Sequence, residues 1–300
     1  MVINKTVSIC GIWNCNMKFV EKLLSKFLPY KVWKKHYYNK KYKEIENSGL
    51  GKILQKNIYF RDIHKGGRCF ILGNGPSLSK VDVALLKDEI TFTVNDLYYK
   101  EDFSKINTTY HVFADPYYFT ELEGILEKLM EKSNPLGVFI EGSGYKEILQ
   151  NQLQQKYPIY VYSNGIEIED IKLVPIDLCK LLPYYCTVVQ SAISIASYMG
   201  FTEIYLLGCD CTGILNFIDR IQRQEIKNYA YRLPEMELLK QKSNSISCEH
   251  MFFEWHHIFK SYRLLNSFMK EKNITIINLT ENSILDAIEK GNLSDVIQSS

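Results

Sequence analysis

The chain has 300 residues, 46% apolar and 23% charged, with a formal net charge of +2. That length suffices for one large α/β domain with an appendage, and the composition excludes intrinsic disorder and collagen-like or low-complexity classes. The near-neutral balance argues against a globally basic nucleic-acid binder, so no nucleic-acid partner is expected.

The first 64 residues are rich in lysine and aromatics and poor in turn signals. Val20, Leu23, Leu24, Phe27 and Leu28 recur at helical spacing, with Lys18, Lys22 and Lys26 off that stripe. Pro29 interrupts, and Lys31, Lys34, Lys35, Lys40, Lys41 and Lys43 follow among Tyr30, Trp33, Tyr37, Tyr38 and Tyr42. Such a segment either lies on an anionic membrane surface or packs on the main domain and leaves its lysines in water. The start MVINKTVSICGIWNCN lacks the apolar core of a signal peptide, and no apolar run reaches the ~18 residues of a membrane span. A cytoplasmic location is expected, with peripheral contact on the inner membrane face as the membrane alternative.

From Arg68 onward strands and helices alternate. Cys69–Leu72 is a short apolar run ending at glycine and reads as a buried strand. Ser77–Leu86 reads as a helix, Ile90–Val94 as a β-branched strand and Tyr110–Ala114 as a third strand. Leu122–Lys132 (helix), Val138–Ile140 (strand), Lys146–Lys156 (helix) and Ile159–Tyr162 (strand) follow. Thr187–Met199 has the continuous apolar character of a buried helix, and Glu203–Leu207 is a strand closing at Gly208. Residues 251–271 form a long helix with Met251, Trp255, Ile258, Tyr262, Leu265 and Met269 on one stripe. Ile274–Leu279 and Ile284–Lys290 read as a last strand and helix. The alternation predicts an α/β fold with a mostly parallel, doubly wound sheet. The eight scattered cysteines form no CxxC pair and read as reduced, buried thiols.

In such a sheet a ligand sits beyond the carboxyl ends of the strands. The strongest signal there is Gly73-Asn74-Gly75-Pro76-Ser77, between a strand and the expected helix. Glycines permit close backbone approach, and a helix N-terminus offers N–H groups to an anion. The run lacks the third glycine of the dinucleotide fingerprint, and no GK[ST] of a P-loop follows. Asn95 and Asp115 end the next strands, where they either read a nucleotide or cap their own turns. Gly208, Asp210 and Thr212 follow a later strand. His250, His256 and His257 cluster near the start of the long helix, and any of them offers a general base. His250, Glu254 and His257 share one face but do not form HExxH, and no Asp-x-Asp occurs in the chain, so no metal is expected.

FILGNGPSL, TVNDLYY, VFADPYYF, TVVQSAISIASYMGFTEIYLLGCD and ITIINLTENS resemble the bacterial sialyltransferases of glycosyltransferase family 42. They equally resemble a related group of capsule and lipopolysaccharide proteins, itself similar to archaeal hydroxymethylpterin pyrophosphokinases. The resemblance spans roughly residues 67–290. It implies a modified GT-A, Rossmann-like nucleotide-binding domain at 65–300, with a lid at about 211–249 and the 1–64 helical extension outside it. It further implies metal-independent transfer from a CMP-sugar to a surface-glycan acceptor, in a homo-oligomer. By the resemblance Asn74, Gly75 and Ser77 lie at the nucleotide, Asn95 at its ribose or base, Asp115 where the family has an asparagine near the cytosine, and Thr187 at a family threonine; the strand-end rule adds Gly73, Pro76, Gly208, Asp210 and Thr212. Counting back from Asn282-Ser283 places the base on His256, with His250 as second candidate. Tyr185 stands where the family has an arginine near the sugar carboxylate, and Thr212 where it has a phosphate-binding tyrosine, though Tyr229 and Tyr231 fall in the lid. The alternatives are another nucleotide sugar such as a UDP-sugar, a pterin-type pyrophosphokinase, or a nucleotide-binding protein without turnover.

Overall fold

The computed structural model describes residues 28–215 and 247–298. Among these, nine strands form one sheet, all parallel, in the order β6-β5-β4-β3-β2-β1-β7-β8-β9. They are β1 Arg68–Leu72, β2 Thr91–Val94, β3 Thr108–Phe113, β4 Gly137–Glu141, β5 Ile159–Ile166, β6 Leu181–Pro183, β7 Glu203–Leu207, β8 Thr275–Asn278 and β9 Glu289–Lys290. The described helices are α1 Tyr30–Glu46, α2 Gly49–Leu54, α3 Leu122–Lys132, α4 Tyr145–Gln150, α5 Leu153–Lys156, α6 Val188–Tyr198, α7 Cys248–Glu271 and α8 Leu293–Gln298. The expected α/β class is thus what the chain forms.

Successive side chains of a strand point to opposite faces, so a sheet covered on both sides needs apolar residues at every position. In β1, Cys69 and Ile71 join one core with Ala192 and Ile193 of α6 and Leu265 and Met269 of α7. Phe70 and Leu72 join the other, with Leu122, Leu126 and Leu129 of α3. Continuous apolar runs such as Cys69–Leu72 and Ile204–Leu207 are therefore buried on both faces.

Three expected elements differ. Ser77–Leu86 is not one helix but two 3-10 turns, Pro76–Lys80 and Val83–Leu86, because Val81 turns extended and Asp82 starts a new cap on the Ala84 N–H. The helix over Lys146–Lys156 is split into α4 and α5 by Gln152, whose φ is +52°. The helix expected over Ile284–Lys290 is a loop that ends in β9, and the last helix starts at Leu293. Leu285 and Ile288 imitate helical spacing because both are buried in the core, while the chain between them runs to pair Glu289 with Ile277. Short α2 and β6 were not expected.

At the N-terminal end, the stripe from Val20 to Phe27 lies outside the described residues. Helix α1 starts directly after Pro29 and packs on the domain. Tyr38 is buried, and its hydroxyl donates to Asp170 Oδ2 (2.6 Å). Tyr30 donates to Asp170 Oδ1 (2.9 Å), and Lys34 pairs with the same carboxylate at 3.0 Å. Lys41 Nζ donates to the Gly165 carbonyl. Lys31, Lys35 and Lys43 stay exposed. No described helix is long and apolar enough to cross a membrane. Of the cysteines expected to be buried, Cys186 and Cys248 are exposed, each near the start of a helix.

Candidate functional site

The chain enters the sheet at β1, works outward to β6, then returns to place β7 on the other side of β1. The loops leaving β1 and β7 therefore part in opposite directions and open a crevice, the switch point at which parallel sheets bind ligands. Both glycine loops sit there. Gly73 N–H donates to the Leu207 carbonyl and Gly75 N–H to the Gly208 carbonyl, each at 2.8 Å. The two backbones lie so close that a Cβ on Gly73 would stand 2.6 Å from the Gly208 carbonyl oxygen. Gly208 has φ +63°, a left-handed conformation that favours glycine.

Gly75 has an ordinary extended backbone, with φ −69° and ψ 151°. Its lack of a side chain serves a different need: a Cβ there would meet Asp210 Oδ2 at 1.9 Å. Asp210 is 7% exposed and folds back over the loop. Its Oδ1 accepts from Ser77 N–H (3.1 Å) and its Oδ2 from Ser77 Oγ (2.7 Å). This corrects the expectation of a helix N-terminus open to an anion. The element is a five-residue 3-10 turn, and an internal carboxylate already occupies the Ser77 N–H.

The β7 loop is held from beneath by the segment after β8. Thr280 Oγ1 accepts from Cys209 N–H (2.9 Å), and Ser283 Oγ donates to the Cys209 carbonyl (2.7 Å). Asn278 Nδ2 donates to Ser283 Oγ, and Ile284 N–H donates to the Asp210 carbonyl. Asn278, Thr280 and Ser283 are all buried, so this network is desolvated and fully paired at the groups named. The polar residues of ITIINLTENS thus fix the turn that carries Asp210.

Between the loops and α7 lies a cavity of about 190 Å³. It is lined by Gly73–Pro76 and Gly208–Gly213, by Trp255, Ile258 and Tyr262 of α7, and by Thr187 and Val189. Thr187 caps α6 in a reciprocal box with Gln190, and its Oγ1 lies 3.0 Å from Tyr262 Oη. Asn74 Oδ1 is buried and has no partner among the described residues. A buried acceptor without a donor costs free energy. Burial, reinforced by the Asp210 charge, pushes the Cys211 thiol up to about 12. It is therefore protonated at neutral pH and is no nucleophile.

No family model matches the sequence, and no curated protein matches it. Among solved structures, the chain is similar to the sialyltransferase CstII from Campylobacter jejuni, in complex with a substrate analogue, cytidine-5'-monophosphate. Identity is 18% over 74% of this chain and 84% of that one, with a TM-score of 0.45. A MAf glycosyltransferase from Magnetospirillum magneticum is similar at 12% identity, over 84% of this chain and 39% of that one, with a TM-score of 0.46. Both scores lie below 0.5, and the site is therefore read from its own residues.

Gly73, Asn74, Gly75, Pro76, Thr187, Gly208, Asp210 and Thr212 line one cavity, and Ser77 joins them through Asp210. Asn95 and Asp115 do not line it. Asn95, at φ +44°, accepts from Ala114 N–H through Oδ1, and Asp115 Oδ1 caps the Tyr117 N–H (3.0 Å). His256 is exposed on the turn of α7 beside Trp255, off the cavity wall. His250 is exposed too, 3.6 Å from Glu254. His257 lies edge-on both to Phe253 and to His256, whose ring is 5.6 Å away centre to centre. Among the described residues no three His, Cys, Asp or Glu side chains gather as a metal site would require. Most of the expected lid, with Tyr229 and Tyr231, lies outside the described residues. Sequence reasoning missed Trp255, Ile258 and Tyr262 as site residues, because they stand on the same apolar stripe of α7 as Leu265 and Met269.

Proposed function

We propose that the chain is a glycosyltransferase that moves a sugar from a nucleotide sugar, first of all a CMP-sugar, to a surface-glycan acceptor in capsule or lipopolysaccharide synthesis. The observation that carries this reading is the cavity at the β1/β7 switch point, lined by both glycine loops. The GNGPSL and GCD motifs of the sequence resemblance lie in those loops.

In this reading the acceptor hydroxyl attacks the anomeric carbon in line with the departing nucleotide. His256, next to cavity-lining Trp255, accepts the proton, with His250 the second candidate. Ser77 N–H is already paired with Asp210, so stabilisation of the leaving phosphate falls to other donors. No step is assigned to a metal. The exposed Lys31, Lys35 and Lys43 of α1 supply a peripheral contact with an anionic membrane.

A thermal-shift panel of CMP, UDP, GDP and dTDP tests the reading. A ligand present at about 100 times its Kd adds roughly 2.7 kcal/mol of stability. Stabilisation by CMP, with turnover of a CMP-sugar in excess EDTA, supports it. Stabilisation by UDP alone moves the donor to a UDP-sugar. Strict Mg²⁺ dependence with a pterin substrate replaces it by diphosphate transfer, and no response to any nucleotide removes it.

A further inference from the structure

The stripe of α7 changes character along its length. Leu265 and Met269 are buried against the sheet, but Trp255, about three turns before Leu265, fronts the cavity. Its indole is bracketed. A Cβ on Gly213 would stand 3.2 Å from Trp255 Cζ2, so the ring edge rests on bare backbone. On its own helix, the Phe259 ring lies 6.1 Å from it, centre to centre. The glycine loop Gly73–Pro76 lines the same cavity.

The cavity, at about 190 Å³, is smaller than the roughly 300–1,000 Å³ of pockets that enclose a whole drug-sized ligand. It therefore takes one part of a nucleotide sugar. A mostly apolar lining that includes a flat indole selects a ring with an apolar face. We propose that Trp255 is the stacking platform for one ring of the donor, and so determines donor specificity. This deepens the reading above and rests on it. The chemistry is that of a ring face, which either the nucleobase or the transferred sugar supplies.

The test is titration of the full chain with CMP and with a CMP-sugar, followed by calorimetry and by tryptophan fluorescence. Trp255→Leu keeps apolar bulk without a ring, and Trp255→Phe restores a ring. In the wild type the ligand quenches fluorescence. In Trp255→Leu the quench disappears, although Trp13 and Trp33 remain, and affinity falls about 10-fold or more, as loss of aromatic stacking does. Trp255→Phe stays within about 3-fold of wild type, because a smaller ring still stacks. Weaker binding of both ligands to Trp255→Leu assigns the base to the indole, and weaker binding of the CMP-sugar alone assigns the sugar. The proposal is overturned if Trp255→Leu binds both ligands as the wild type does, or if the Leu and Phe variants are equally weak. Failure of the underlying reading shows separately, as a wild type that binds neither ligand.

Discussion

A methyl group on Gly75 would occupy the space of the Asp210 carboxylate and come within 2.6 Å of the Gly208 carbonyl oxygen. The carboxylate would have to swing away, and Ser77 would lose the acceptor for both its N–H and its hydroxyl. Gly75→Ala is therefore expected to lower stability by about 1–3 kcal/mol and to abolish ligand stabilisation. Asp210→Ala removes the same acceptors but relieves the crowding. The double variant still carries the contact with the Gly208 carbonyl oxygen but should lose less than the sum of the two single losses, a non-additivity that denaturant midpoints would reveal. Additive losses would show that Gly75 and Asp210 act independently. For the base, loss of a positioned proton acceptor costs about 10²- to 10⁴-fold in rate. His256→Ala should show that loss in kcat while its donor Kd stays unchanged. If His250→Ala shows it instead, the gap-free count from Asn282 is out of register. If neither does, a carboxylate such as Glu254 must serve.

At the level of elements, what was legible depended on how many partners an element needs. The bounds of α3, Leu122–Lys132, and β7, Glu203–Leu207, are readable because each shows its own periodicity or continuous burial. Leu285 and Ile288 misled because their spacing of three satisfies a helix and a buried loop alike. The loops of the site were legible as glycine-rich turns after strands, yet the reason for Gly75 was not, since Asp210 reaches it from 135 residues away in the chain. Likewise Asp170 gave no local sign that it anchors α1. There burial would raise its carboxyl, but hydrogen bonds from Tyr38, Lys34 and Tyr30, and the Lys34 charge, hold it below the ordinary carboxylate range. Asp170→Ala leaves Lys34 and two phenols without their acceptor and should cost about 3 kcal/mol. Lys31→Ala and Lys35→Ala change exposed side chains and should stay within about 0.5 kcal/mol while weakening salt-sensitive binding to anionic vesicles. Unchanged vesicle binding in those two variants would confine α1 to its packing role.

The whole molecule is a sheet buried on both faces, so any group that titrates inside it ties global stability to pH. His111, in β3, is fully buried. Its Nε2 faces the Asn95 carbonyl (3.1 Å), which only accepts, so Nε2 carries the proton and Nδ1 accepts from Thr93 Oγ1 (2.7 Å). Burial lowers its pKa to about 3, against a partial opposing pull from the Asn95 carbonyl. The unfolded chain binds this proton below about 6.5, whereas the native protein does not until about pH 3. Over that window the unfolded state holds more protons, so stability is intact above pH 6.5 and falls as pH drops. At about 1.4 kcal/mol per unit, lowering pH from 7.5 to 4.5 costs on the order of 3 kcal/mol from this one side chain. Asp170 acts in the same direction at lower pH: its depressed pKa means stability present above about 3.9 and lost as pH falls through its folded value. Urea midpoints measured between pH 7.5 and 4.5 should therefore fall steadily, with the decline starting near the histidine range rather than the carboxylate range. A His111→Gln variant, which keeps a donor and an acceptor but cannot titrate, should be less stable at pH 7.5 yet show a flatter profile down to pH 4.5. Parallel profiles for the two proteins would mean that other groups carry the acid sensitivity and that His111 is a packing residue alone.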